Sequence, residues 1–386
     1  MATHSPSIVM PSLIFVGMCS FCVEMSYGPD LRQVTDCRIT CPEVSKRSPF
    51  CFHSCAYSDR SITKIEGHLH LGNSGFETQS LRPMELLVEL FLDGSLVQKE
   101  FLDLLMGKVE ESSGSLHVCC RDLQVDKLHN YKCSLKFLDL KCVDQFSVGK
   151  GSLSYINNIL SQMAHLQSLS LFKVPFRSQR GKVFKNFLSH LQQMENLNEL
   201  NLASFNLKNR LDKVLRFIQP GLDFLCLPFC NLLSRDYQFL SQSPQAIHLK
   251  LLNLSNNTMY WNDFGPICTL LVNLSGTLQI LELNNCHITD SAISVLIPAL
   301  IRCTHLPVLG FASNPITMLI LVNIMNNLTP LMELKYVIYP IPVHCFGEWH
   351  FQCSLDRRKL AIVQLQLKTM LELAQRNDMT WITYTE

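Results

Sequence analysis

The chain of 386 residues lacks a surplus of either charge: 33 Lys and Arg stand against 32 Asp and Glu, for a formal +1. Binding to nucleic acid through phosphates needs a basic stripe, and no Lys/Arg-rich run with interleaved aromatics occurs. No direct contact with nucleic acid is expected. Catalytic signatures are lacking too. There is no G-x-S-x-G elbow, no H-E-x-x-H, no G-x-x-x-x-G-K-[ST], no G-x-G-x-x-G after a strand and no DFG set. The histidines are scattered; His287 and His305 read as surface or packing residues, and Glu110–Glu111 as a helix end. The expectation is a non-enzyme without catalytic residue, cofactor or metal. A membrane span is not expected either. The apolar stretch IVMPSLIFVGMCSFCV (8–23) is short, interrupted by Pro11 and without a basic leader, so a poorly ordered tail is preferred over a signal peptide.

What is abundant is leucine in an unusual rhythm. In LKLLNLSNNTM, residues 249–259, Leu249, Leu252, Leu254, Asn257 and Met259 are separated by three, two, three and two residues. That is neither the alternation of a half-buried strand nor a helical period. The phrase recurs as LDFLCLPFCNL from Leu222, LQILELNNCHI from Leu278 and LPVLGFASNPI from Leu306. Looser copies start at Leu135, Leu166 and Leu197, and a decayed one at Leu331, giving starts 25 to 31 residues apart. This is the period of leucine-rich repeats that carry a helix in each unit. Between phrases the apolar spacing becomes helical, as in Phe184, Phe187, Leu188 and Leu191, or Ile293, Leu296, Ile297, Leu300 and Ile301. The fold class that follows is α/β: a leucine-rich repeat solenoid, a horseshoe of strand–turn–helix units whose stacking closes one continuous core. The Asn or Cys after the third leucine points inward, where an amide satisfies backbone groups released by the turn and a small thiol fills the same slot.

Seventeen cysteines in a chain that is 47% hydrophobic fit this scheme. Cys142, Cys230 and Cys286 occupy inward turn positions, and Cys268 and Cys303 lie near helix ends. Their number is odd and their spacing unpaired, which favours reduced thiols in the cytoplasm or nucleus over a disulfide-bonded, extracellular repeat protein. Sequons at Asn253, Asn256, Asn273 and Asn327 are discounted, since Asn253 falls inside a strand.

Four segments are expected. Residues 1–80 form a poorly ordered leader, whose Cys19, Cys22, Cys37, Cys41, Cys51, Cys55 and His53 are too irregularly spaced to prefer zinc ligation over an unstructured chain. Residues 81–130 form an N-terminal helical cap, from the spacing of Leu86, Leu87, Leu90 and Phe91 and then Phe101, Leu104 and Leu105, followed by a first strand, LHVCCRDLQV (116–125). Repeats fill 131–340, and 341–386 close the stack as a C-terminal cap. Strand residues between the buried leucines face the inner side of the horseshoe. Lys250, Leu251, Asn253, Gln279, Ile280, Glu282, Pro307, Val308 and Gly310 are the candidate protein-binding residues, their mixed chemistry suiting a protein rather than a phosphate chain.

The end of the sequence is more specific than the repeat. Tyr339, Pro340 and Pro342 in a YP-x-P turn, LDRRKLA before a long helix, and RNDMTWI resemble the C-terminus of the PRAME family. MELLVELFLDGSL (84–96), SLHVCCRDLQV and the stretch 196–244 resemble it in the same order, so the likeness covers about 81 to 382. It is similar to the germline-expressed, oogenesin-like members. The resemblance implies a horseshoe-shaped scaffold, nuclear and cytoplasmic, monomeric, that recognises substrates for a cullin–RING ubiquitin ligase through elongin and cullin. It also implies negative regulation of transcription, differentiation and apoptosis, and positive regulation of proliferation. The family's opening LP-x-E-L-type helix and elongin-contacting segment find no counterpart in 1–80. The alternative is a ligase-independent repeat protein that represses by masking its partner. No intact L-x-x-L-L motif is present, because Ile267 precedes Leu270–Leu271 and Phe101 precedes Leu104–Leu105.

Overall fold

The structure is a computed structural model that describes residues 23–25, 84–92, 96–131, 135, 138–175, 177, 179–346 and 355–384. Among the described residues, twelve strands stand side by side in chain order in a single sheet. They are β1 (Val23–Met25), β2 (Met84–Leu92), β3 (Leu116–Lys127), β4 (Gln145–Lys150), β5 (Ser168–Leu171), β6 (Glu199–Asn201), β7 (Phe224–Cys226), β8 (Leu251–Asn253), β9 (Ile280–Glu282), β10 (Val308–Gly310), β11 (Tyr336–Ile338) and β12 (Thr380–Ile382). Every neighbouring pair from β2 to β12 is parallel; β1 alone runs antiparallel, against β2.

Parallel neighbours need a crossover, and a helix supplies it for almost every pair. The helices are α1 (Leu96–Glu111), α2 (Leu153–Leu160), α3 (Gly181–Gln193), α4 (Leu211–Leu215), α5 (Ser234–Gln242), α6 (Phe264–Asn273), α7 (Asp290–Leu300), α8 (Met318–Leu328) and α9 (Arg357–Leu373). Between β3 and β4 the described crossover holds only short 3-10 turns, Leu128–Tyr131 and Leu140–Cys142 among them.

The hydrogen bonds explain the three-then-two rhythm. In most units two successive N–H groups converge on one carbonyl of the preceding unit; at β10, where Pro307 has no N–H, Val308 alone donates, to Gln279 O. Lys250 and Leu251 both donate to Asp223 O, Gln279 and Ile280 to Lys250 O, and Lys335 and Tyr336 to Pro307 O. One extra residue is thus absorbed just before each strand, as in a bulge. The first leucine and the later two then point the same way. The buried positions align as a ladder across the sheet: Leu90, Leu123, Phe146, Leu169, Leu200, Leu225, Leu252, Leu281, Leu309 and Val337. All ten belong to one continuous core with the inner faces of the helices. Each such side chain contributes roughly 1.5–3 kcal/mol by leaving water.

The turns after β7 to β10 work as their Asn or Cys suggests, whereas after β6 buried Phe205 fills the slot. Asn257 Nδ2 donates to the carbonyls of Leu227 (2.8 Å) and Leu254 (2.9 Å), while its Oδ1 accepts from the N–H groups of Cys230 (3.0 Å) and Leu232 (3.2 Å). Asn314 repeats this one unit pair later, toward Leu283, Phe311, Cys286 and Ile288. In the alternate units Cys230 and Cys286 donate S–H to Leu202 O (3.0 Å) and Leu254 O (3.3 Å). The residue before each slot, Ser204, Phe229, Asn256, Asn285 and Ser313, takes a left-handed backbone that tightens the turn.

At the C-terminal end α9 and β12 complete the sheet. Buried Arg376 donates to the carbonyls of Thr329, Leu331 and Leu334, satisfying the end of α8 and its loop, and is held by Asp378 at 2.9 Å. Arg376 first, then Lys335, holds the Asp378 carboxyl well below the usual carboxylate range.

Several expectations require correction. Residues 84–92 are strand, not helix: Val88, Leu90 and Leu92 are buried in alternation, and Phe91 is exposed. The segment 116–127 is therefore not the first strand of the parallel sheet. On α1 it is Leu102 and Met106 that are buried, whereas Leu104 is exposed. Among its described residues, the phrase from Leu135 contains no strand. Leu138 and Leu140 are buried in an irregular segment, β4 comes later with Phe146 and Val148, and half-buried Cys142 closes a 3-10 turn rather than filling an inward slot. The decayed copy is in register from Leu334, not Leu331, because Val337 pairs with Leu309. Ile301 is exposed at the end of α7, and Cys268 sits mid-helix in α6. The leader call for 1–80, with its cysteines and His53, lies outside the described residues except for Val23–Met25.

Candidate protein-binding face

The side chains opposite the core ladder form two rows on the inner face of the sheet. Register places Glu89, Asp122, Gln145, Ser168, Glu199, Phe224, Leu251, Ile280, Val308 and Tyr336 in one row. The second runs Phe91, Gln124, Ser147, Ser170, Asn201, Cys226, Asn253, Glu282, Gly310 and Ile338. Neither row contains a Lys, Arg or His, and four positions are carboxylates: Glu89, Asp122, Glu199 and Glu282. The first row also divides along its length. It is polar and acidic from β2 to β6, then aromatic and aliphatic from β7 to β11.

The carboxylates feel one another. Burial pushes the Asp122 carboxyl up to about 6; Gln124, donating at 3.0 Å, opposes this, and Glu89 and Glu199 add to it. Burial, then Glu282 and Glu199, likewise pushes up the Cys226 thiol. Glu282 accepts from Asn253 Nδ2 at 2.5 Å.

The nine sequence-derived candidates do not all offer surface. Leu251, Ile280, Glu282 and Gly310 are buried, because strands this short and close enclose each side chain between its neighbours. Asn284 Oδ1, for instance, lies 3.1 Å from where a Cβ on Gly310 would stand. Gln279 is exposed, and Lys250, Asn253, Pro307 and Val308 are half-buried. Three of these, Lys250, Gln279 and Pro307, line an open groove of about 410 Å³ at the strand-entry rim with Thr277, His305 and Glu333. Lys250 pairs there with Asp223 Oδ2 at 3.0 Å, and His305 Nδ1 lies 3.1 Å from Glu333.

Sequence reasoning missed the N-terminal part of the face, Glu89, Asp122 and Glu199, and exposed Tyr336 in the apolar part. Glu199 lay within reach of the repeat pattern, as the residue before the second leucine of the copy from Leu197. Glu89 and Asp122 did not, since their strands carry no copy of the phrase.

Residues 84–384 match the PRAME C-terminal domain. The chain belongs to the PRAME family. It is similar to leucine-rich repeat-containing protein 14 of Rattus norvegicus, 33% identical over 322 residues that cover 78% of this chain and 64% of that one. The protein of the same name from Xenopus laevis is 34% identical over 367 residues, 89% of this chain and 69% of its own. Human PRAME family member 8 is 29% identical over 277 residues, 69% and 58% respectively. This PRAME-family chain thus spans just under two thirds of the rat relative's length. A crystal structure of a Bacteroides fragilis protein covers 74% of this chain and 84% of its own at 12% identity and a TM-score of 0.36, too loosely to inform function. Among the described residues no helix is long and apolar enough to cross a membrane. The fold is a leucine-rich repeat scaffold, which suits protein binding.

Proposed function

We propose that this PRAME-family chain is an intracellular, non-enzymatic scaffold that grips a protein segment, basic at one end and apolar at the other, along its inner face. The observation that carries this is the divided row: carboxylates and no cation from β2 to β6, then Phe224, Val308 and Tyr336 beyond. Such a surface repels phosphate chains and steers basic partners by their charge. Family membership supports the finer reading, that the chain is a monomeric substrate-recognition subunit of a cullin–RING ligase acting in the cytoplasm and nucleus. Through the proteins it presents, it would restrain transcription, differentiation and apoptosis and promote proliferation.

Affinity purification of the full chain from germline cells tests both levels. Glu199→Lys and Tyr336→Ala should each release the captured substrate while elongin and cullin stay bound. Capture of a protein that both variants release, with elongin and cullin absent from clean preparations, would leave the masking alternative and remove the ligase role. Unchanged capture by both variants would remove the inner face.

A further inference from the structure

Beside the start of β3, the irregular crossover between β3 and β4 brings three metal-ligating groups together. His117 stands near the start of β3, Asp139 caps the 3-10 turn Leu140–Cys142, and Cys142 ends it. His117 Nε2 lies 3.5 Å from Cys142 Sγ and 3.9 Å from Asp139 Oδ2. One ligand atom from each of the three lies within 4.8 Å of the others, a cluster found here among the described residues.

The arrangement is preorganised. Asp139 caps the turn from an extended backbone and Cys142 ends it, and both side chains reach His117. The turn is closed by Cys142 N–H donating to Asp139 O at 3.2 Å. Asp139 divides its oxygens: Oδ1 accepts from Lys141 N–H at 3.1 Å, which fixes the carboxylate, and Oδ2 faces the imidazole. This is the support that an oriented metal-binding carboxylate requires.

Two other roles fit less well. In a nucleophilic triad the thiol and the carboxylate engage opposite nitrogens of the imidazole, so that one orients the ring while the other gives up its proton. Here both approach the same atom, Nε2. A His117–Asp139 ion pair is within charge-pairing range but does not account for Cys142 Sγ at 3.5 Å from the same nitrogen, and its 3.9 Å spacing is long for a hydrogen bond. The arrangement suits a shared cation instead. Tetrahedral zinc with ordinary Zn–S, Zn–N and Zn–O bonds separates its ligand atoms by roughly 3.3–3.6 Å. The observed sulfur–nitrogen distance already matches, and a small rotation of Asp139 completes the set.

We propose that His117, Asp139 and Cys142 bind one zinc ion, with Cys142 as thiolate, neutral His117 through Nε2, and a solvent molecule at the fourth position. His117 and Cys142 are half-buried and Asp139 is exposed, so solvent reaches that position. Binding transfers the Cys142 thiol proton to solvent. The ion pins the 3-10 turn Leu140–Cys142 to β3, and its role is to hold that seam.

The test uses the full chain, stripped with chelator and titrated with Co²⁺ and then Zn²⁺. Because the chain has seventeen cysteines, the reading is a difference between variants. Wild type should show a thiolate-to-cobalt charge-transfer band with tetrahedral d–d absorption. Cys142→Ser and His117→Ala should each lose one equivalent of metal and that part of the spectrum. Asp139→Asn should keep the charge-transfer band and weaken binding at least about tenfold. Zinc should raise the thermal midpoint of the wild type and leave that of Cys142→Ser unmoved. Uptake and spectra unchanged in all three variants, or no uptake by the folded wild type, would overturn the proposal.

Discussion

The two ends of the sheet satisfy their backbones by different means. β2 and β3 are nine and twelve residues long, and their mutual ladder continues almost unbroken, with a single shift beside Val88 and Glu89. From β6 to β11 each strand has three residues, and the chain leaves the sheet at once into a buried turn. After β7 to β10 the polar groups released by the turn depend on particular side chains, the alternating Cys and Asn of the inward slot (Cys230, Asn257, Cys286 and Asn314). The long-strand end is robust to single side-chain changes because backbone pairs with backbone. The short-strand end gains curvature and a compact repeat, and becomes sensitive to one residue per unit.

The largest effect should come from removing one of those residues. Asn257→Ala leaves the N–H groups of Cys230 and Leu232 and the carbonyls of Leu227 and Leu254 without their amide partner. Leu254 O still accepts from Cys286 Sγ, so three groups are orphaned, and at about 1–3 kcal/mol each the loss is on the order of 3–9 kcal/mol. Asn257→Cys should recover part of it, since Cys230 and Cys286 already fill equivalent slots. Urea unfolding followed by circular dichroism gives both values. If Asn257→Ala and Gln124→Ala, on the inner face of β3, shifted the midpoint alike, the contrast between the two ends would fail.

Next comes Leu254→Ala, at about 2–5 kcal/mol, because the cavity lies within a close-packed core shared by adjacent units. Leu254 is fully buried. A cost below about 1 kcal/mol in the same unfolding assay would mean that the stack closes around the loss, contrary to a rigid shared interior.

These two positions were plain in the sequence, and the reason is physical. From Leu222 to Ile316 the same constraint acts in every unit, so leucines and slot residues repeat at fixed offsets. Where the constraint changes, reading failed. MELLVELFL satisfies both a helical and an alternating template, and only pairing with β3 decides for strand. Leu135, Leu138 and Leu140 keep the leucine spacing and are buried, but none of the described residues between β3 and β4 is in a strand. On the inner face the alternation was legible, yet exposure was not: Leu251, Ile280, Glu282 and Gly310 point inward as expected and are then enclosed by neighbouring strands. Nothing local in the sequence joins His117 to Asp139 and Cys142, which belong to different elements.

A smaller effect distinguishes the inner faces of the two ends. The Asp122 carboxyl is raised to about 6 by burial in the long-strand end, against an unfolded value near 3.9. A raised carboxyl contributes stability while protonated, fully present below the unfolded value and lost as pH rises through about 6. Wild type should therefore lose on the order of 1–2 kcal/mol between pH 4 and 7 relative to Asp122→Asn. Parallel stability profiles for the two proteins across that range would show that the carboxyl is not strained. Binding of a basic partner should strengthen over the same interval as Asp122 ionises.

The smallest effect is Lys250→Ala, on the rim of the short-strand end beside Leu249 and Leu252 of the core. Its ammonium reaches Asp223 Oδ2 at 3.0 Å, but both side chains remain substantially exposed. An ion pair in that setting gains little over hydration, and a surface change away from caps and core costs within about 0.5 kcal/mol. The backbone of Lys250 is different: its N–H and that of Leu251 share the Asp223 carbonyl, and its own carbonyl receives Gln279 and Ile280. Lys250→Pro would remove one of those donors, so it should cost several-fold more than Lys250→Ala in the same denaturant titration. Equal costs would mean that the second donor to the shared carbonyl is dispensable here, as it is at Pro307, where Val308 N–H alone reaches Gln279 O.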